Sequence, residues 1–356
     1  MLQRAIQYLP TVVSLSKNTF IRSLSTSLKT FGIACDIDGV LLKGKQLIPR
    51  SDDAIRFLQD KKIPFCFMTN GGGLLESDRI HFLEEKLHTH LDPNQIIQSH
   101  TPMQELLSQY RNKKILVLGS KQYLEVSQHY GFAKGITPQE FLALHPEYYP
   151  PKHYSVTNER KQVLLTYDDE PCVAILVLHD PIDWASEIQI CMDVLTTPSE
   201  RKNTISSSPS PIQSVPIYVG NPDLLYSGVC KQPRLACRAF VEALNGVFFS
   251  EYHTNLNIHY YGKPNKIVYD YAEKTINNMS QLLYPSSSIH IDRYYGIGDN
   301  PHSDIVGANQ AGPLWNSVYV KTGSLAPPKL NTNECPKYTY SDVFEAVQEI
   351  YKMNYQ

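Results

Sequence analysis

The chain has 356 residues, a length that suits two soluble domains better than one, because a domain usually takes about 100–200 residues. Its 33 basic and 35 acidic residues leave a formal net charge of −2, so the basic excess typical of nucleic-acid-binding domains is absent. The seven cysteines are scattered, without a C-x-x-C pair or a Cys/His cluster at zinc spacing, which indicates a reducing compartment and no structural metal.

The N-terminal segment departs from this balance, because no Asp or Glu precedes Asp36. The first 30 residues contain nine Ser or Thr residues and four basic side chains, Arg4, Lys17, Arg22 and Lys29. This composition is typical of a mitochondrial transit peptide, which is drawn to an anionic membrane and a negative-inside potential. We therefore predict a transit peptide over residues 1–29 and a location in the mitochondrial matrix; a tail without a targeting role is the alternative. No run approaches the ~20 apolar residues of a transmembrane segment.

The next part of the chain predicts alternating strands and helices. Residues 31–42 (FGIACDIDGVLL) form an apolar run that ends in acids and Gly, as expected of a parallel strand buried on both faces. Residues 63–70 and 95–100 predict two further strands, and 51–61 and 77–87 predict helices. This alternation predicts a doubly wound α/β layer structure.

The middle and end of the chain repeat the alternation. Further strands are predicted at 114–120, 172–180, 215–223, 289–300 and 318–323. Helices are predicted at 122–129 and 184–195, and another helix begins near Ser303. The Ser/Pro-rich stretch 198–214 predicts a surface loop, because a strand signal follows it at once.

Two carboxylates, Asp36 and Asp38, end the first predicted strand. Side chains at positions i and i+2 of a strand point the same way, so both can face one crevice at the carboxyl edge of the sheet. Two close carboxylates are costly unless a cation or a proton lies between them. On its own, the pair is equally compatible with a strand end that makes an Asx turn before Gly39.

Three further signals follow in chain order. Thr69 and Asn70 end the second strand before three glycines, which together offer a hydroxyl, an amide and unhindered N–H groups to a phosphoryl oxygen. Lys263 stands in a Gly-Lys-Pro turn, Asp299 ends another apolar strand, and Asp304 follows five residues later. Each signal has an ordinary alternative: a plain loop, a surface lysine or a helix N-cap.

The four motifs in this order, CDIDGVL, FMTN, GKP and GIGDNPHSDI, resemble those of the haloacid dehalogenase-like (HAD) phosphohydrolase superfamily. The long insertion between the second and third motifs, and the phrase NPD at 221–223, resemble subclass IIA (NagD/p-nitrophenylphosphatase-like), which carries a C2-type cap. MTNGGG, NPDLL and YGKPN resemble the mitochondrial, cat eye syndrome critical region-like branch of that subclass. The resemblance extends over residues 31–351.

The resemblance implies a three-layer, doubly wound parallel-sheet (Rossmann-like) core over residues 30–107 and 258–350, with an inserted α/β C2-type cap over 108–257. Every motif residue would lie in the core, while the cap would close over the site, exclude water and select the substrate. A small phosphorylated metabolite is the implied partner, and a homodimer would form through the cap. Some relatives in this branch are fused to a phosphatidyltransferase, so a glycerophospholipid precursor is one expected substrate class.

The resemblance also implies the roles of the acidic residues. Asp36 would attack phosphorus and form an aspartyl-phosphate intermediate, and Asp38 would protonate the leaving alkoxide and then activate water. Mg²⁺ would be held by the side chains of Asp36 and Asp299 and by the backbone carbonyl of Asp38. The expected activity is a Mg²⁺-dependent phosphatase; the alternative is a catalytically weak phosphometabolite-binding or regulatory protein on the same scaffold.

The remaining motif residues would contact the phosphoryl group. Thr69 and Asn70 would bind its oxygens, and Lys263 would offset the charge of nucleophile and phosphate. Asp304 would order the metal's waters or Lys263 without binding the metal itself. Many members of the subclass have a second Asn after Thr-Asn, whereas Gly71 stands there in this chain and removes one side-chain donor.

Overall fold

The structure, a computed structural model, describes residues 28–196, 213–226, 232–285, 289–323, 327–329 and 332–355. Residues 1–27 of the predicted transit peptide and 198–212 of the predicted loop lie outside these ranges.

The strands of the described residues are, in chain order, β1 (Leu28–Cys35), β2 (Leu42–Lys43), β3 (Gln46–Leu47), β4 (Phe65–Met68), β5 (Ile96–Ile97), β6 (Lys114–Leu118), β7 (Lys134–Ile136), β8 (Ile175–Val177), β9 (Ile217–Val219), β10 (Leu225–Tyr226), β11 (Arg234–Leu235), β12 (Ile258–Tyr260), β13 (Ile289–Gly298), β14 (Trp315–Val320) and β15 (Tyr338–Tyr340). The α-helices are α1 (Ser51–Asp60), α2 (Glu76–Leu87), α3 (Leu107–Tyr110), α4 (Tyr123–Tyr130), α5 (Pro138–Leu144), α6 (Asn158–Leu165), α7 (Trp184–Thr196), α8 (Cys237–Tyr252), α9 (Lys266–Leu283), α10 (Val306–Ala311) and α11 (Val343–Tyr355).

The first sheet contains six parallel strands in the order β15-β14-β13-β1-β4-β5. Because side chains alternate along β1, Ile33 and Cys35 pack with helices α1, α2 and α11 on one face. Ala34 packs with α9 and α10 on the other face. The sheet is therefore covered on both faces, which confirms the predicted three-layer, doubly wound core.

The second sheet contains five parallel strands in the order β12-β9-β8-β6-β7. Leu116 and Leu118 of β6 pack with α5, α7 and α8, whereas Ile115 and Val117 pack with α3 and α4. All of its strands lie in the chain between β5 and β13 of the first sheet. The second α/β unit is therefore inserted in the first, as the resemblance implied.

One predicted boundary differs from the strand pairing. Residues 258–260, predicted to belong to the core, form β12, which pairs with β9 (Ile217–Val219) at the edge of the second sheet. This edge strand is partly exposed and lacks the apolar run that marks a buried strand, so its residue pattern does not indicate which sheet it joins. Lys263 accordingly follows a strand of the second sheet. The boundary at 107/108 stays a prediction.

Two other predicted elements are shorter or irregular. The strand predicted at 95–100 is reduced to Ile96–Ile97, because a 3₁₀ helix with Pro102 in its first turn begins at Thr101. The helix expected to begin near Ser303 begins with a π-helical turn, Pro301–Ile305, and continues as α10. Among the described helices, none combines the length and apolar character needed to cross a bilayer.

Candidate active site

The carboxyl ends of strands from both sheets border one cavity of about 850 Å³. The loops after β1, β4 and β13 reach it from the first sheet, and the loops after β6, β8, β9 and β12 reach it from the second. This edge is where open parallel α/β sheets bind ligands. The cavity is lined by all seven predicted site residues, Asp36, Asp38, Thr69, Asn70, Lys263, Asp299 and Asp304.

Lys263 joins two of the predicted carboxylates. Its ammonium nitrogen donates to Asp36 Oδ1 at 2.8 Å, to Asp304 Oδ1 at 2.5 Å and to the carbonyl of Met68 at 2.8 Å. Lys263 is 2% exposed, and burial alone would lower its pKa; Asp304 and Asp36 outweigh burial and raise the pKa well above its ordinary value. Because all three of its hydrogens are used, Lys263 acts here as a fixed positive charge beside Asp36.

Asp36, Asp299 and Asp304 form a buried acidic cluster in which one carboxylate oxygen of each residue lies within 4.8 Å of those of the other two. Burial raises the pKa of Asp36 to about 7; Lys263 opposes this shift and Asp304 adds to it. Burial, then Asp36 and Asp304, raise the pKa of Asp299 well above its ordinary value. The single positive charge of Lys263 therefore does not neutralise the three carboxylates. Carboxylate oxygens are the ligands that Mg²⁺ prefers.

The glycine of the first motif makes room for this cluster. Gly39 has φ +95°, in the left-handed region that favours glycine. A Cβ atom at this position would lie 2.3 Å from Asp299 Oδ2, which is closer than real Cβ contacts. The sequence D-I-D-G therefore supplies both a carboxylate and the space into which the Asp299 carboxylate fits.

Asp38 lines the same cavity but is more exposed than the acidic cluster. Its side chain is 49% exposed, and its Oδ2 accepts a hydrogen bond from Arg79 Nη2 at 3.3 Å. Arg79 lies on α2, in a segment that the sequence identified only as a helix. The structure therefore adds Arg79 to the site, where it orients the carboxylate expected to transfer protons.

Thr69 and Gly71 form a short turn at the end of β4. Thr69 is 2% exposed, and its Oγ1 accepts a hydrogen bond from the backbone N–H of Gly71 at 3.0 Å. A Cβ at Gly71 would lie 3.3 Å from Thr69 Oγ1, a tight contact, and 3.5 Å from Asp38 Oδ2, an ordinary one. A side chain at this position would therefore crowd the Thr69 hydroxyl, and Gly71 leaves that hydroxyl unhindered.

Asn70 holds three chain segments together. Its Nδ2 donates to Asp223 Oδ2 at 3.0 Å and to the carbonyl of Lys263 at 2.9 Å, and its Oδ1 accepts from the N–H of Lys263 at 2.8 Å. The amide is thus fully occupied by protein groups, and it fixes the backbone that carries the Lys263 ammonium. Asp223, the acid of the NPD phrase, is a site residue to which the sequence assigned no role.

Further polar residues of the cavity follow strands of the second sheet. Lys121 follows β6, His179 and Asp180 follow β8, and Asn221 follows β9. No sequence motif marks any of them, because each is a single polar residue at a strand end. The predicted order of strands was the one signal that could have pointed to them, since parallel strands share a carboxyl edge.

Two family profiles match the chain. The profile described as "Haloacid dehalogenase-like hydrolase" matches residues 33–133, and the profile described as "HAD-hydrolase-like" matches residues 260–346. The two matched segments contain the four motifs and flank most of the inserted unit.

The full chain is similar to curated proteins and solved structures. A mitochondrial hydrolase of Saccharomyces cerevisiae is 33% identical over 350 residues, which cover 92% of this chain and 97% of that protein. A "cardiolipin synthase (CMP-forming) / mitochondrial hydrolase" fusion protein of Schizosaccharomyces pombe is 32% identical over 88% of this chain, and the match spans 51% of the fusion protein. The crystal structure of a 4-nitrophenylphosphatase from Thermotoga maritima matches with a TM-score of 0.58 and 16% sequence identity. The match covers 89% of this chain and 96% of that protein's chain. At this identity, the match shows a shared fold.

Proposed function

The chain belongs to the haloacid dehalogenase-like hydrolase family, and we propose that it is a Mg²⁺-dependent phosphatase of small phosphomonoesters. The observation that carries this proposal is the arrangement of Asp36, which lies buried beside Lys263 at 2.8 Å and within a cluster of three acids. A nucleophilic carboxylate, a fixed cation and a cation site are together what attack on a phosphate monoester requires.

The residues present fit a divalent cation. Asp36 and Asp299 are buried carboxylates with raised pKa values, and Lys263 supplies one positive charge to a cluster of three acids. The side chains of Asp36 and Asp299 and the backbone carbonyl of Asp38 would hold the ion. When bound, the ion would offset the negative charges of the nucleophile and the phosphate. Asp304 accepts from Lys263 and from the backbone N–H of Asn300 at 3.0 Å, so its role is to position these groups.

The proposed reaction uses Asp36 as nucleophile and Asp38 as general acid and base. An oxygen of Asp36 forms a bond to phosphorus while the bond to the leaving alkoxide breaks, and Asp38 gives its proton to that alkoxide. Asp38 then takes a proton from a water whose oxygen attacks phosphorus, so that the bond from phosphorus to Asp36 breaks and inorganic phosphate and the free Asp36 carboxylate are released. Arg79, at 3.3 Å from Asp38, keeps this carboxyl group in the cavity.

Thr69 and Asn70 differ in how they would serve the phosphoryl group. The Thr69 hydroxyl accepts from Gly71 and keeps its own hydrogen for a phosphoryl oxygen. Both side-chain N–H groups of Asn70 are already bonded, so its contribution is to hold the Lys263 turn in place. Lys263 offsets the charge that develops during attack.

The relatives support a link to glycerophospholipid metabolism and a mitochondrial location. The Schizosaccharomyces relative joins a hydrolase to a cardiolipin synthase, so a phosphorylated glycerophospholipid precursor is one proposed substrate class. Both curated relatives are named as mitochondrial hydrolases, and the acid-free N-terminal segment agrees with a location in the mitochondrial matrix.

Deletion of residues 1–29 should leave the protein in the cytosol. Assembly into a homodimer through the inserted unit stays a prediction.

A phosphate-release assay tests the proposal. The purified chain should release phosphate from p-nitrophenyl phosphate when Mg²⁺ is present and should lose this activity in excess EDTA. A panel of phosphorylated metabolites that includes glycerophospholipid precursors should then contain a better substrate. Tight, saturable binding of a panel member without release of phosphate would instead favour the binding or regulatory protein.

A further inference from the structure

The second sheet contributes its own set of polar side chains to the cavity. β6 and β8 are paired neighbours, and the residues that follow them, Lys121, His179 and Asp180, line the same cavity as the acidic cluster. The proposed chemistry uses none of these three residues. In the proposed reaction the phosphate would lie at the edge of the first sheet beside Asp36, so these residues of the second sheet are placed to contact the leaving group.

Lys121 combines an unusual backbone conformation with two side-chain contacts. Its φ is +63°, in the left-handed region that costs a residue with a side chain roughly 1–2 kcal/mol. Its Nζ donates to the carbonyl of Gly72 at 3.2 Å and lies 3.2 Å from His179 Nε2. Two of its three hydrogens are therefore placed, and the third is free for a ligand.

His179 and Ser120 fix the position of this ammonium. His179 Nδ1 lies 2.6 Å from Ser120 Oγ, and burial lowers the pKa of His179 to about 3, so the imidazole is neutral. A neutral ring that donates from Nδ1 to Ser120 accepts at Nε2, which suits the Lys121 ammonium. The lysine is thus oriented by its neighbours, as expected of a binding group with a defined target.

Asp180 supplies the complementary acceptor. It lines the same cavity, and its Oδ1 is buried and has no hydrogen-bond partner within the described residues. A buried carboxylate oxygen without a donor is costly. Burial raises the pKa of Asp180, while the nearby Lys121 ammonium and the backbone N–H of Cys237 lower it. With acceptor capacity unused at the cavity wall, Asp180 can take a hydrogen bond from a ligand.

We propose that Lys121 and Asp180 form a leaving-group subsite for a hydroxyl group, so that the preferred substrates are phosphate esters of polyols. A hydroxyl accepts from the Lys121 ammonium and donates to the Asp180 carboxylate at the same time. A carboxylate or second phosphate can only accept and would be repelled by Asp180, and an ammonium can only donate and would be repelled by Lys121. The inference rests on the proposed phosphatase function.

The test compares kcat/KM for two esters that differ in their hydroxyl groups, glycerol 1-phosphate and propyl phosphate. The wild type should prefer glycerol 1-phosphate, and the preference should fall about tenfold or more in Asp180→Ala and Lys121→Met, because each loses a charged hydrogen bond. Asp180→Asn keeps an acceptor oxygen and should retain part of the preference. Asp183→Asn is the matched control, because Asp183 bonds Lys152 and Tyr154 and does not line the cavity.

The outcomes separate this inference from the function on which it rests. Hydrolysis of p-nitrophenyl phosphate with no preference for glycerol 1-phosphate, or with a preference that neither variant changes, would overturn the subsite and leave the phosphatase intact. A strong preference for 3-phosphoglycerate that depends on Lys121 alone would also overturn it, in favour of an anionic leaving group. If none of the four esters (p-nitrophenyl phosphate, glycerol 1-phosphate, propyl phosphate and 3-phosphoglycerate) were hydrolysed, the proposed phosphatase function itself would be rejected.

Discussion

Asn70 of the first sheet donates a hydrogen bond to Asp223 of the second sheet at 3.0 Å. The same amide holds the backbone of Lys263 through two further bonds, at 2.8 and 2.9 Å. A cap carboxylate, a core amide and the lysine beside the proposed nucleophile thus form one network. The inserted unit therefore contributes a residue to the network that positions Lys263.

Replacement of Asp223 should reduce turnover through this network. In Asp223→Ala, Asn70 loses one acceptor and the amide that holds the Lys263 turn is fixed less firmly, so kcat should fall roughly tenfold to a hundredfold with a smaller change in KM. Asp223→Asn keeps an acceptor oxygen and should recover most of the loss. Glu187→Gln is the control, because Glu187 is a buried acid of the same unit that bonds Gln139 away from the cavity. An equal loss in the control would show that Asp223 acts through general stability alone.

Binding of Mg²⁺ should stabilise the fold, because the cation would offset the buried charge of Asp36, Asp299 and Asp304. At a free concentration of 100 times Kd, one site adds about 2.7 kcal/mol to the free energy of unfolding. Thermal melts with increasing Mg²⁺ should show a rising Tm for the wild type and little rise for Asp299→Asn. Asp53→Asn, an exposed acid on α1, should behave like the wild type. Equal shifts in wild type and Asp299→Asn would place the cation elsewhere.

Stability should also decrease at mildly acidic pH because of His100. This side chain is fully buried, its Nδ1 bonds the hydroxyl of Tyr130 at 2.7 Å, and burial lowers its pKa to about 4. The unfolded chain, with an ordinary histidine pKa near 6.5, binds a proton that the folded chain does not. The contribution is therefore complete above about pH 6.5 and is lost as pH falls toward 4.

Urea unfolding at pH 7 and pH 5 measures this effect. The wild type should lose about 2 kcal/mol more than His100→Gln between these two values, because glutamine does not titrate. His302→Gln, which replaces an exposed histidine on the π-helical turn, is the control and should follow the wild type. Parallel losses in wild type and His100→Gln would contradict the assignment.

The sequence predicted the parts of the site that local pattern determines. Asp36, Thr69 and Asp299 each follow a buried strand directly, and such strands are recognisable from continuous apolar runs. Because the carboxyl ends of parallel strands meet at one edge, strand order alone brought these residues together. The doubly wound fold followed from the same pattern.

The parts that depend on long-range packing were not predictable in this way. Arg79 reaches Asp38 from the middle of an amphipathic helix, where any arginine would have the same local signature. Asp223 lies 153 positions from its partner Asn70. β12 is a partly exposed edge strand, so the sheet to which it belongs depends on the neighbouring strand with which it pairs.

Helix α9, in contrast, could have been predicted, because its buried residues at 268, 272, 276 and 279 follow a helical period that the sequence displays.

The central claim is that Asp36 attacks phosphorus. The most direct measurement is Mg²⁺-dependent phosphate release from p-nitrophenyl phosphate by the wild type and by Asp36→Asn at equal concentration, with circular dichroism and a thermal melt to establish that both are folded. The structure predicts that kcat falls by at least about a thousandfold in the folded variant, because an amide cannot form the acyl-phosphate intermediate. Turnover by folded Asp36→Asn at the wild-type rate would contradict the account.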